Sequence, residues 1–127
     1  MSRRLLIIQP CGGSHPLLDF LQSNRISFEI LPDLVSGLQK AQEQHYDVIL
    51  MDTRSHGIKI DRAIRLLKVF DPQVRIIVQT DENSRRLEAR VRREQIYYYH
   101  LNSFGADDLA TAVITALASV NRRSHIS

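Results

Sequence analysis

Polar side chains follow four apolar, strand-like runs of the chain, and they are the residues best placed to do chemistry. They occur in the stretches Gln9 to Gly13, Asp52 to His56, Thr80 to Glu82 and Asn102 to Phe104. Asp52 offers a carboxylate, Thr80 a hydroxyl and Asn102 an amide. On residue type alone, Asp52 is also a common turn residue that hydrogen-bonds the backbone after a strand.

The elements that must position these side chains follow from the hydrophobic pattern. Five short apolar runs alternate with five segments of helical spacing, which predicts βαβ units. The predicted strands are Arg4 to Gln9, Ser27 to Leu31, Asp47 to Asp52, Val74 to Thr80 and Ile96 to Leu101. The predicted helices are about Pro16 to Asn24, Asp33 to Gln44, Asp61 to Phe70, Ser84 to Glu94 and Ala106 to Val120.

Short right-handed crossovers between these elements favour a doubly wound α/β fold. We expect a flavodoxin-like five-stranded parallel sheet of order 2-1-3-4-5 with helices on both faces, in which sites form beyond the carboxyl ends of the strands. Asp33 and Ser84 are predicted helix N-caps. Leu66 is expected to add apolar surface to the third helix, and alternation should place Tyr98 opposite Tyr97 and Tyr99.

Composition predicts one globular domain. The chain has 127 residues, 43% of them hydrophobic and 24% charged, which fits one domain over residues 1–120 followed by a polar tail over 121–127. Cys11 is the only cysteine, so the chain forms no internal disulfide. The amino terminus lacks the apolar length of a signal peptide, and we expect a cytoplasmic protein without a membrane contact. The net charge of +3 leaves nucleic acid open as a partner.

Other chemical motifs are weak. The segment Cys11-Gly12-Gly13-Ser14 lies between a strand and a helix, where its amides could cradle an anion, but it lacks the Walker lysine. The histidines show no paired spacing for a metal site; they are His15, His45, His56, His100 and His125. No residue set indicates an enzyme acting on a diffusible substrate.

Three strand ends carry a family resemblance that spans about Arg4 to Val120. The stretch Tyr46 to Asp52 resembles the third strand of response regulator receiver domains, which ends in the aspartate that accepts a phosphoryl group. Ile76 to Thr80 is similar to the fourth strand, which ends in a hydroxyl residue, and Tyr99 to Phe104 to the fifth. The resemblance implies that Asp52 is the phosphoacceptor candidate. It also implies that Thr80 and Tyr99 are the pair that couples phosphorylation to the signalling face.

Four receiver positions are filled differently. The acidic pair that holds Mg²⁺ in receivers is Gln9 and Pro10 here, the lysine is Asn102, and the proline after it is Ser103. One carboxylate and one amide should bind Mg²⁺ weakly or not at all, so we predict no cofactor and no metal site. Without the metal and the lysine, phosphoryl transfer to Asp52 should be slow.

The predicted fourth helix is rich in arginine, and in receivers this helix and the fifth strand form the usual surface for partners. The resemblance therefore places Arg86, Arg90, Arg93 and Tyr97 on a docking face. Arginine and aromatic side chains are favoured at interface cores. A solvated helix face beside an edge strand is the alternative interpretation.

The leading hypothesis is a degenerate receiver that binds a signalling protein, with Asp52 at most a weak acceptor. Its partner would be a histidine kinase, a phosphotransfer protein, an output protein or a second copy. A second hypothesis is an active phosphorelay receiver phosphorylated at Asp52. A third is a small basic nucleic-acid-binding module, although we expect a protein as the main partner.

Overall fold

The computed structural model describes residues 4–10, 15–55 and 57–126, with side chains as far as residue 119. Its strands are β1 Arg4–Ile8, β2 Ser27–Leu31, β3 Val48–Asp52, β4 Arg75–Thr80 and β5 Tyr98–Leu101. Its α-helices are α1 Leu18–Ser23, α2 Leu34–Glu43, α3 Ile60–Phe70, α4 Arg85–Arg92 and α5 Ala106–Ile126. A short 3₁₀ turn, Asn102–Phe104, joins β5 to α5.

The five strands form one parallel sheet in the order β2-β1-β3-β4-β5. This confirms the predicted doubly wound α/β fold and its strand order. Every residue of β3 is buried, as expected for a central strand covered on both faces. The order reverses between β1 and β3, so the carboxyl ends of these two strands flank the crevice in which such sheets bind ligands.

Two hydrophobic cores lie on opposite faces of the sheet. Leu6, Ile49 and Val78 point toward α2, α3 and α4. Leu5, Leu50 and Ile77 point toward α1 and α5. Because side chains alternate along a strand, two consecutive polar residues near the end of a strand lie on opposite faces of the sheet. This alternation sorts the functional candidates into two groups.

Both predicted N-caps are confirmed. The side chain of Asp33 accepts a hydrogen bond from the Ser36 backbone N–H at 2.7 Å at the start of α2. The Ser84 hydroxyl accepts from the Leu87 N–H at 3.1 Å at the start of α4. Each satisfies a helix N–H that has no carbonyl partner within the helix.

Three details of the sequence prediction were wrong. Leu66 is 39% exposed, because the buried stripe of α3 follows a helical spacing that leaves it outside. The backbone of α5 continues past Val120 to Ile126, since a helix does not need apolar side chains to propagate once it has begun. β5 begins at Tyr98 rather than Ile96. The segment Cys11–Ser14 lies outside the described residues.

No helix in the described part of the chain combines the length and the apolar character needed to cross a membrane.

Candidate functional site

A row of buried polar side chains crosses the sheet at the carboxyl ends of the strands. Its members, from β1 to β5, are Gln9, Asp52, Gln79 and His100. Asp52 pairs in register with Gln79, and Gln79 pairs with His100. Alternation with Leu50, Ile77 and their neighbours places this row on the face covered by α1 and α5. Asp52 thus supplies the carboxylate of a row whose other three members are an imidazole and two amides.

Asp52 is 1% exposed, and both of its carboxylate oxygens are engaged by Arg54. Arg54 Nε donates to Asp52 Oδ1 at 3.1 Å, and an Arg54 terminal nitrogen donates to Oδ2 at 2.8 Å. The backbone N–H of Arg54 also donates to Oδ1 at 2.8 Å. The planar fork of a guanidinium matches a carboxylate in this two-point geometry. The candidate acceptor therefore sits in a closed ion pair.

A chain of hydrogen bonds runs from the β1–α1 loop to the rim of the site. The Leu17 N–H donates to His15 Nδ1 at 3.1 Å, which leaves the ring proton on Nε2. That Nε2 donates to Gln79 Oε1 at 2.8 Å. Gln79 Nε2 donates to Asn102 Oδ1 at 3.4 Å, and Asn102 Nδ2 donates to Asp81 Oδ1 at 2.9 Å. Both ends of the Asn102 amide are thus committed to this network.

Burial lowers the pKa values of the two imidazoles in this region, His15 and His100. Desolvation lowers the pKa of His15, although the hydrogen bond to Gln79 and the charge of Asp52 partly oppose it. Desolvation also lowers the pKa of His100, with Asp108 opposing it. His100 is 2% exposed, and its Nδ1 has no hydrogen-bond partner among the described residues. Burial therefore favours the neutral form of both rings.

Stability is expected to fall in mild acid because of these two histidines. Their pKa values are lower in the folded protein than the value of about 6.5 in an unfolded chain. Below about pH 6.5 the unfolded chain therefore binds protons that the folded protein rejects. The free energy of unfolding should be constant above that pH and decrease below it. Urea unfolding between about pH 7.5 and 5.5 measures the slope.

The variant carrying both His15→Gln and His100→Gln should have a flatter profile across the same pH range. An unchanged slope in this variant would assign the acid sensitivity to other groups.

The predicted coupling pair, Thr80 and Tyr99, lies on the opposite face of the sheet from Asp52. Thr80 is fully buried, and its hydroxyl accepts from the Thr53 hydroxyl at 2.7 Å and from the Glu82 N–H at 3.0 Å. Tyr99 is 7% exposed, and its hydroxyl has no partner in the described part of the chain. Burial raises the pKa of Tyr99. Thr53 follows Asp52 in the chain and is hydrogen-bonded to Thr80, so it connects the acceptor to the Thr80 member of this pair.

The four replaced receiver positions surround a cleft of about 300 Å³ or lie beside it. Gln9 and Asn102 line the cleft together with Arg54, Gln79 and His100. Pro10 follows Gln9 and is half-buried, whereas Ser103 is exposed in the 3₁₀ turn. No group of three or more His, Cys, Asp or Glu side chains among the described residues could hold a metal ion.

The residues of the predicted docking face lie on or beside α4 and β5. Arg86, Arg90 and Arg93 are exposed at α4, and Arg90 pairs with Asp61 of α3 at 3.6 Å. Tyr97 directly precedes β5, and the Arg75 guanidinium is 6.0 Å from its ring centroid.

Arg92 joins α4 to β5, because its guanidinium lies 5.5 Å from the Tyr99 ring centroid while it pairs with Glu88. Arg92 therefore contacts the coupling pair through a cation–π interaction with Tyr99.

Five residues of the site have no role that the sequence pattern predicts: His15, Arg54, Gln79, Asp81 and His100. A signal existed for Gln79, because a polar residue in an apolar central strand must find a buried partner. The spacing of Arg54 from Asp52 carried no such signal, because the residue after a strand can turn either way.

The fold has many counterparts among solved structures. A CheY-like response regulator receiver domain from Methanospirillum hungatei JF-1 matches 97% of this chain and 99% of its own, with 16% identity and a TM-score of 0.83. The signal receiver domain of a putative Luxo repressor protein from Vibrio parahaemolyticus matches all of this chain and 98% of its own, with 14% identity and a TM-score of 0.86. The receiver domain of NtrC4 from Aquifex aeolicus matches 92% and 98%, with 17% identity and a TM-score of 0.82.

Neither a protein-family profile nor a curated protein matches the chain. The three structural matches cover 92% or more of this chain at TM-scores of 0.82 to 0.86. The chain therefore has the fold of CheY-like response regulator receiver domains, as its strand ends predicted.

Proposed function

We propose that this chain is a degenerate receiver: a signalling module that acts mainly by binding a protein partner, in which Asp52 is at most a slow acceptor of phosphoryl groups. One observation carries the proposal. The Asp52 carboxylate is buried in a row of uncharged side chains, with both oxygens bonded by Arg54. Both oxygens of this nucleophile are therefore already hydrogen-bonded to a cation, which weakens their attack on a phosphodonor.

Magnesium does not fit the donor set around Asp52. Mg²⁺ favours several carboxylate or phosphate oxygens in near-octahedral geometry. Gln9 supplies an amide beside Asp52 and Pro10 supplies no side-chain donor, while Asp81 is engaged by Asn102. We therefore expect Mg²⁺ to bind this chain too weakly to assist a phosphoryl transfer.

The charge that offsets a transferring phosphoryl group is also reduced. Such transfer depends on positive groups aimed at the equatorial oxygens. Asn102 stands at the lysine position, and its amide nitrogen donates to Asp81 at 2.9 Å. The cation that does reach the site, Arg54, neutralises the nucleophile itself, which opposes the reaction.

An active phosphorelay receiver remains the second candidate, because Asp52 ends β3. A similar solved structure, a response regulator from Burkholderia pseudomallei, carries a phosphorylated aspartic acid and a calcium ion. It matches 98% of this chain at 16% identity, with a TM-score of 0.76. The third candidate, nucleic-acid binding, is weakened because Arg90 and Arg92 are paired with Asp61 and Glu88.

The partner is expected at the α4 side of the molecule, as a signalling protein or a second copy. Arg86 and Arg93 are exposed there, and Arg92 lies over Tyr99. A partner that displaced Arg92 would act on the buried Tyr99 ring directly, without a signal from Asp52.

A phosphodonor assay tests the proposal. The purified chain is incubated with acetyl phosphate and Mg²⁺, and the added mass of one phosphoryl group is followed by intact-mass spectrometry. We expect no more modification than in the Asp52→Asn variant. Rapid, near-complete phosphorylation that is lost in Asp52→Asn would overturn the proposal and favour the active receiver.

A further inference from the structure

The contact between Arg54 and Asp52 is unusual in being made by an exposed side chain on a buried one. The Arg54 side chain is 59% exposed and the Asp52 side chain 1% exposed. The Arg54 guanidinium therefore lies between the Asp52 carboxylate and solvent. The two parallel hydrogen bonds, at 2.8 and 3.1 Å, fix its orientation as well as its charge.

Backbone hydrogen bonds of the turn after β3 fix the position of Arg54. The Ser55 N–H donates to the Asp52 carbonyl at 3.0 Å, which closes a tight turn over the three residues after β3. The Ser55 hydroxyl is anchored on the Ile8 carbonyl at 3.3 Å. The Arg54 N–H also donates to Asp52 Oδ1, so the turn that carries the guanidinium is hydrogen-bonded to the same carboxylate.

A second carboxylate stands at the rim of the same site. Arg54 lies 3.7 Å from Asp81 Oδ2, and Asp81 Oδ1 accepts from Asn102. Asp81 is mostly exposed, so this second contact is the weaker one. It extends the ion pair from the buried carboxylate to the rim, and it gives the guanidinium an alternative partner if it leaves Asp52.

We infer that Arg54 is a tethered counter-ion that occupies the Asp52 carboxylate and excludes both divalent cations and phosphoryl donors from it. The inference rests on the proposed function, because it states what keeps the module in its unphosphorylated state. Arg54 is a positioning and blocking residue, not a catalytic one. Arg54 hinders the access of cations and phosphoryl donors to Asp52 by itself, independently of the missing acidic pair and lysine.

The experiment uses a background in which the missing receiver groups are restored: Gln9→Asp, Pro10→Asp and Asn102→Lys. In this background Arg54 is either kept or changed by Arg54→Ala. Asp52 Oδ attacks the phosphorus of acetyl phosphate, the bond from phosphorus to the acetyl oxygen breaks, and acetate leaves. The rate of acyl phosphate formation and the Mg²⁺ affinity, followed by amide NMR, are the two readouts.

We expect Arg54→Ala to raise both the rate and the Mg²⁺ affinity by about tenfold to a hundredfold, the range for releasing a charge-assisted, two-point hydrogen bond. The matched control is Arg85→Ala, which removes another exposed arginine that lies outside the site. Equal rates and affinities with and without Arg54 would overturn the inference.

A second measurement, made in the natural sequence, tests the same inference if the variant with the three restored receiver residues does not fold. A water-soluble carbodiimide activates accessible carboxyl groups, and glycine ethyl ester then displaces the urea and leaves an amide, which peptide mass spectrometry detects. Labelling of Asp52 should be about tenfold or more faster in Arg54→Ala than in the natural chain. Equal labelling overturns the inference but leaves the proposed function standing, whereas phosphorylation of the natural chain overturns the proposed function.

Discussion

Arg54→Ala is expected to lower the free energy of unfolding by about 2 kcal/mol, although it removes a side chain that is mostly exposed. The reason is the partner that it leaves behind. Asp52 stays buried and, of the three donors at residue 54, keeps the backbone N–H alone. Exposed ion pairs usually contribute less than about 1 kcal/mol, so the buried partner decides the size of this effect.

A double-mutant cycle isolates this interaction. Asp52→Asn removes the charge that Arg54 balances, so Arg54→Ala should cost little in the Asp52→Asn background. Urea unfolding of the four proteins gives the coupling free energy, which we expect at about 1 to 2 kcal/mol. Arg85→Ala serves as the control and should change stability by less than about 0.5 kcal/mol. Strictly additive effects would mean that Arg54 and Asp52 do not interact in solution.

Gln79→Leu is expected to cost about 2 kcal/mol by breaking the buried hydrogen-bond chain at its centre. Gln79 is 4% exposed and accepts from His15 Nε2 while it donates toward Asn102. A leucine of similar size fills the space but leaves the buried His15 N–H without an acceptor. Since the Gln79 bond opposes the desolvation of His15, the pKa of His15 should fall further.

The companion variant removes both polar groups. His15→Leu combined with Gln79→Leu eliminates donor and acceptor together, and such paired replacements are often nearly neutral. We expect the double variant to recover most of the stability lost in Gln79→Leu, as measured by urea unfolding. A double variant less stable than Gln79→Leu would show that His15 contributes through packing or through Leu17 instead.

The fold was predictable because its signals are local and repeated. The apolar runs indicate the strands, the short crossovers between them favour the observed sheet order, and Asp33 and Ser84 mark helix starts that the structure confirms. Alternation correctly separates Tyr98 from Tyr99, which pack on opposite faces. The continuation of α5 was missed because a polar sequence ends the amphipathic pattern without ending the helix.

The site was less predictable because it depends on side-chain directions. Asp52, Gln9 and Asn102 stand out as strand-end residues, but nothing in the spacing shows that Arg54 turns back onto Asp52. The placement of Thr80 and Tyr99 on the other face follows from alternation, yet their partners do not. In the sequence Gln79 and His100 look like ordinary strand residues, and only the register of β3, β4 and β5 joins them to Asp52 in one row.

The most direct test of a phosphorylation-independent module is a two-dimensional amide NMR titration with Mg²⁺ followed by beryllofluoride, which receivers bind as a phosphoryl mimic at their acceptor aspartate. We predict that the spectrum of the natural chain stays unchanged at Asp52, Thr80 and Asn102. Saturable shifts that begin at Asp52 and extend through Thr80 to Tyr99 would contradict it and establish a working phosphorylation switch.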